Sequence, residues 1–150
     1  MSPSPPDPSD AVHPLIEKAR TSKVPIAELI GFSVDEIGGG RAAASLRSGP
    51  QHANPMGTLH GGVLCDLADA AMGMAFVSTL APDESFTTMA LSINFFRPVW
   101  QTLLRADARV VNRGRNIGYL ECEMFDQDGR LVAKATSTCL VLRGEHAKTR

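Results

Sequence analysis

Cysteine is scarce in this 150-residue chain: Cys65, Cys122 and Cys139 are odd in number, far apart and never arranged as C-x-x-C. That pattern argues against a disulfide framework or a zinc site, and a reducing cytoplasm is the expected compartment. Net charge is lacking too. Fifteen Lys and Arg stand against sixteen Asp and Glu, a formal charge of -1, so no long-range field points to nucleic acid or to an anionic membrane. No long apolar run is free of charge. The best candidate, Val63 to Leu80, contains Asp66 and Asp69, each costly at bilayer depth, and reads as a buried helix with no membrane span expected. The amino terminus lacks the apolar core of a secretory signal. Residues 1–10 hold four prolines and three serines among acids, the composition of a disordered tail ahead of one domain over 11–150. Also missing are G-x-S-x-G, G-x-x-x-x-G-K and H-E-x-x-H, so serine-hydrolase, P-loop and zincin chemistry have no support.

What is present is a 43% hydrophobic chain long enough to bury roughly 68–70% of its unfolded surface. Val12, Leu15, Ile16 and Ala19 fall at helical spacing within Ala11 to Ser22, and Ile26 to Ile30 predicts a second short helix. Phe32 to Ile37 and Arg41 to Leu46 predict two strands joined through Gly38, Gly39 and Gly40, where glycine permits the positive φ of a tight hairpin. From Gly61 to Leu80, the residues Leu64, Leu67, Ala68, Ala71, Met72, Ala75, Phe76 and Thr79 mark one face of a long central helix. Its alanines and Gly73 suit a helix enclosed closely by a curved sheet. After Ser85 the period becomes two, and turn residues near Gly114, Gly118 and Gly129 divide the remainder into four strands. Helix and strands are segregated, which predicts an α+β fold with a mostly antiparallel sheet.

The segment His52 to Gly73, HANPMGTLHGGVLCDLADAAMG, holds the densest chemistry. The central helix opens on Gly61 and Gly62, and the preceding His60 is not among the favoured amino-terminal caps, so the first amides are expected to lack partners. Such amides can hold a carbonyl oxygen that turns negative; close packing explains the glycines equally well. Asp69 lies eight residues beyond Gly61 among apolar and small residues. A carboxylate there must face a cavity or be paired, and could attack a carbonyl carbon or deprotonate water. Asp66 has the plainer reading of favouring the helix dipole. His60 and Asn54 are either site groups or local hydrogen-bonding residues. Arg97, and Arg113 and Arg115 flanking Gly114, are candidates to meet phosphate through side chains and turn amides, or else solvated turn residues.

Asn54-Pro-Met-Gly-Thr-Leu-His60-Gly-Gly, with Asp69 nine residues after the histidine, resembles the hotdog-fold acyl-CoA thioesterases, in particular the phenylacetate-pathway (PaaI-like) group. The likeness runs from about Phe32 to Leu142 and includes the Asn112-Arg-Gly-Arg turn. It implies a long helix wrapped by a five- or six-stranded antiparallel sheet, in homodimers often paired into homotetramers, with each active site shared between subunits. On this resemblance the Gly61 N–H polarises a thioester carbonyl, and Asp69 from the other chain is nucleophile or general base. Asn54 and His60 orient the carbonyl and its loop, Thr88 helps hold the water, Gly62 supports the substrate, and Arg97 with the Arg113–Gly114–Arg115 turn meets coenzyme A. No metal or cofactor is implied. One branch, the 4-hydroxybenzoyl-CoA thioesterases, carries Glu with Thr four residues later; here those positions are Asp69 and Gly73, which places the chain nearer the aspartate branch. Two rival expectations are a non-catalytic acyl-CoA sensor and a hotdog enoyl-CoA hydratase or dehydratase. For the acyl pocket, Met72, Phe76, Leu80 and the amino-terminal helix are candidates that could equally be core.

Overall fold

A computed structural model describes residues 12–148; the expected amino-terminal tail lies outside them. Two short helices, α1 (Pro14–Thr21) and α2 (Pro25–Ile30), precede strands β1 (Phe32–Gly38) and β2 (Arg41–Arg47). A long helix α3 (Gly61–Val77) follows, then β3 (Ser85–Phe95), β4 (Leu103–Arg113), β5 (Ile117–Phe125), β6 (Leu131–Leu142) and a final turn of helix, α4 (Glu145–Lys148). Both leading helices begin at proline, whose fixed φ suits a first helical turn and whose missing N–H costs nothing there. Gly31 ends α2 in the left-handed region at φ 93°, the usual reason for glycine just past a helix.

The six strands form one antiparallel sheet in the order β1-β2-β4-β5-β6-β3. β1 and β3 are therefore its edges. The β1–β2 hairpin turns at Gly39 (φ 59°) and Gly40 (φ 75°). The central helix lies across the sheet. It buries Leu64, Leu67, Ala68, Ala71, Met72, Ala75 and Phe76 against Ala44, Leu46, Leu104, Ala106, Leu120 and Ala135. Alanines on both layers shorten the approach, and the leucines and Phe76 fill what remains, each buried large side chain contributing about 1.5–3 kcal/mol. Met72, Phe76 and Leu80 are all buried in this cluster; they are core.

Helix α3 is three residues shorter than the period suggested, about 26 Å at 1.5 Å per residue. Ser78 and Thr79 turn their hydroxyls back onto the Ala75 and Phe76 carbonyls, offering the backbone an alternative to continued helix. The Ser78 oxygen also accepts from the Gly40 N–H at 2.8 Å, tying this end to the first hairpin. Among the described residues no helix is long and apolar enough to cross a membrane.

Candidate active site

The start of α3 is set by the loop before it. His52 is buried; its Nδ1 accepts from the Gly49 N–H at 3.0 Å and its Nε2 donates to the Ile30 carbonyl at 2.6 Å. Its own carbonyl accepts from His60 N–H at 2.8 Å, and Leu59 N–H bonds Val99 O at the same distance. Nothing in the spacing of the sequence singled out His52; its pairing with Ile30 exists only once α2 folds back onto the loop. Asn54 closes the turn over Gly57: Oδ1 accepts from the Met56 and Thr58 N–H groups and Nδ2 donates to Thr58 Oγ1. Its observed bonds are thus internal to the loop.

His60 corrects the sequence expectation. It is the amino-terminal cap of α3, its Nδ1 accepting from the Gly62 N–H at 2.9 Å. An imidazole nitrogen two residues ahead does the work more usually left to Ser or Asp. Gly62 therefore has its amide filled and is not free to hold substrate in this arrangement. The Gly61 N–H, one residue earlier, donates to no acceptor among the described residues. Gly61 lies in contact with the Phe95 ring and lines a groove of about 370 Å³ with Leu59, Leu64, Phe96 and Arg97. The Arg97 side chain is exposed and makes no ion pair or hydrogen bond among the described residues.

Asp69 sits two turns along α3, on the flank facing edge strand β3. It is solvent-exposed in the single chain, forms no ion pair among the described residues, and accepts one long hydrogen bond, from Thr88 Oγ1 at 3.4 Å. Protein packed about the carboxyl raises its pKa above the usual 3.8; the Thr88 bond opposes that shift and the charge of Asp66 adds to it. Behind Thr88 lies buried Cys139, Sγ 3.9 Å from the hydroxyl. Cys65, between Gly61 and Asp69 on the helix, is held protonated by burial and then by Asp66 and Asp69, which push its thiol up.

The arginine turn differs from the start of α3. Arg113 is engaged within the chain. Its Nε donates to Thr79 Oγ1 at 3.1 Å, its Nη1 to the Gly114 carbonyl, and its Nη2 lies 3.7 Å from Glu84. The guanidinium also stacks 5.2 Å from the centre of the Phe76 ring. Glu84 accepts in addition from Arg143 at 2.8 Å. Burial would raise the Glu84 pKa, but the Ala81 N–H and the Arg143 guanidinium outweigh it and hold it low. Of the two arginines of this turn, Arg115 keeps a side chain without a bond among the described residues. The Arg113 turn and Gly61 lie at opposite ends of α3, one beside Thr79 and the other beside Phe95. No group of three or more His, Cys, Asp or Glu among the described residues is arranged to hold a metal.

One chain does not bring Gly61 and Asp69 to a common point. Eight helical residues separate them by about 12 Å of rise and a rotation of about 80°.

Comparison with known proteins places these features in context. The thioesterase superfamily matches residues 56–133. A 1,4-dihydroxy-2-naphthoyl-CoA hydrolase of Listeria monocytogenes is 25% identical over 116 residues, 77% of this chain and 94% of that protein. Among solved structures, a conserved protein of Pseudomonas aeruginosa superposes with a TM-score of 0.76 at 33% identity, covering 80% of this chain and 95% of its own. A point mutant of the phenylacetic acid degradation protein PaaI of Thermus thermophilus gives a TM-score of 0.73 at 28% identity, covering 78% and 98%.

Proposed function

The chain belongs to the thioesterase superfamily, and on that premise we propose that it hydrolyses acyl-CoA thioesters with Asp69 as the base or nucleophile and the Gly61 N–H as the oxyanion donor. One observation carries the reading. An exposed carboxylate without an ion pair and a helix-start amide without an acceptor among the described residues lie on one long helix. In the general-base form, the Asp69 carboxylate takes a proton from water as the water oxygen bonds the thioester carbon. The carbonyl electrons move onto oxygen, where the Gly61 N–H stabilises them. Collapse of this intermediate breaks the C–S bond, and the departing thiolate takes up the proton. The acid and the free thiol result. In the nucleophilic form, Asp69 bonds the carbon first and the C–S bond breaks to expel the thiolate; water then opens the mixed anhydride, giving back the Asp69 carboxylate, and its proton ends on the thiolate. A donor of this kind typically contributes about 2.7–4 kcal/mol to the transition state.

The separation of the two groups calls for a second copy. β3 is an edge, with a described strand on one side only, and Met89 and Phe95 on it are exposed, the kind of edge that adds another strand. Gly61 contacts Phe95, and Asp69 meets Thr88. A twofold axis that sets Gly61 beside Asp69 of a second copy, with the β3 edges antiparallel, therefore crosses β3 between Leu91 and Ser92. Arg97, at the Gly61 end, is the free cation best placed for the phosphates of coenzyme A.

The experiment is thiol release from aryl, short, medium and long acyl-CoAs by the wild type, by Gly61→Val, by Asp69→Asn, and by the two variants mixed after unfolding and refolding together. Each variant alone should be nearly inactive. The mixture should regain activity, because a hybrid dimer contains one site with both groups intact. Failure to regain activity, with hybrids demonstrated, would overturn the shared site. Absence of thiol release by the wild type from every substrate would overturn the hydrolysis of acyl-CoA.

A further inference from the structure

The glycine at position 61 is not required by its backbone: its φ lies outside the left-handed region, so an L-residue could adopt it. What excludes a side chain is Phe95. A Cβ at residue 61 would stand 2.8 Å from Cζ of that ring and 3.2 and 3.3 Å from Cε1 and Cε2, far inside the ordinary contact distance of about 3.5–4.0 Å. The ring fills the place that a side chain on Gly61 would occupy.

Phe95 is also firmly held from behind. It ends β3 opposite Ala133, and the next residue, Phe96, donates its N–H to the Val132 carbonyl at 2.8 Å. Phe95 nevertheless remains 52% exposed in the single chain. So an aromatic side chain, anchored on the sheet, reaches over to the first residue of α3 and lies beside its amide, which has no acceptor among the described residues. The other flank of that start is fixed by His60 through Gly62.

We propose that Phe95 is a positioning residue for thioester hydrolysis: its ring, seated on Gly61, fixes the direction of the first α3 amide and keeps water from that flank. This rests on the reading that the Gly61 N–H holds the carbonyl oxygen. Such a donor is effective when it is oriented in advance and the site around it is dry, and small misplacement is expensive. Glycine at 61 then has two neighbours to satisfy, the substrate on one side and a phenyl ring on the other. The twofold arrangement proposed above would also bring the exposed face of the ring toward Asp69 of the second copy, so the ring would border both halves of one site.

The test is a double-mutant cycle on residues 61 and 95, with folding and assembly followed by thermal unfolding and sedimentation. Phe95→Ala should lower kcat by about tenfold or more with KM changed less than about threefold, whereas Phe95→Leu, which keeps bulk over Gly61, should retain most of kcat. Gly61→Ala should lose activity, and Gly61→Ala combined with Phe95→Ala should recover part of it, because the methyl group then has space. Strictly additive losses, or an unchanged kcat in Phe95→Ala, would overturn the proposal. A second readout is independent of activity. With 15N-glycine labelling, the Gly61 amide resonance should move when Phe95 becomes alanine, by loss of the ring current, while that of Gly129 in the β5–β6 turn stays in place. An unmoved Gly61 resonance would overturn the contact itself, whereas a moved resonance in a protein that releases no thiol would overturn only the activity it serves.

Discussion

The two ends of α3 carry similar ingredients and have opposite fates. At its start stand a helix terminus, glycines and Arg97; near its end stand Thr79, a glycine turn and Arg113 with Arg115. At the far end, folding satisfies almost everything: Arg113 is divided among Thr79, the Gly114 carbonyl, Glu84 and the face of Phe76, and Glu84 is shared with Arg143. At the near end the Gly61 N–H and the Arg97 guanidinium remain without partners among the described residues. A motif's capacity to bind is set by what the fold leaves unpaired, because a donor already bonded to protein must break that bond before it can hold a ligand.

The contrast yields its largest expected effect at Asp69. Asp69→Asn should cut kcat by about 10²–10⁴-fold with the fold intact, measured as thiol release. The two arginines offer the direct test of the comparison. Arg113→Ala should lower unfolding stability by roughly 1–3 kcal/mol in denaturant titrations while leaving KM for acyl-CoA nearly unchanged. Arg97→Ala should do the reverse, raising KM by about three- to tenfold at unchanged stability. If Arg113→Ala instead raises KM at full stability, the far end is a binding site after all.

Smaller effects concern pH. Asp69 acts as a base only when ionised, and its pKa is raised by the protein packed around it, so the acid limb of kcat/KM should lie above the usual aspartate value of 3.8. Thr88→Val removes the one bond that stabilises the anion and should move this limb to still higher pH; a shift downward would show that Thr88 does not stabilise the charged form. The same raised pKa has a stability consequence. The folded state holds the proton more tightly than the unfolded chain, so this group costs stability as pH rises from the unfolded value through the folded one, and the cost persists at neutrality. Asp69→Asn should therefore melt at the same or a slightly higher temperature than wild type at pH 7, and at an unchanged temperature well below pH 3.8.

Much of the architecture was legible because its signals are local. The 3.6-residue period after Gly61 and the two-residue period after Ser85 each report a single element against a single core, and the glycines at 39, 40 and 129 report turns that their positive φ values require. The eight-residue interval between Gly61 and Asp69 was equally plain. The helix end was misplaced because Ser78 and Thr79 continue the apolar face while their hydroxyls compete for the last carbonyls. His60 was misjudged as a cap because an imidazole does that work only when the loop holds its ring over Gly62.

The amino-acid order by itself determined the elements, the alternation of buried and exposed faces, and the placement of a carboxylate and a glycine-led helix start on one rod, since each depends on neighbours within a few residues. Only the tertiary structure decided which groups keep a free hand. Phe95 meets Gly61 from 34 residues away, and Thr79 and Glu84 reach Arg113 from 34 and 29 positions before it. Whether a polar group is spent or available depends on contacts that exist only after the chain has closed on itself.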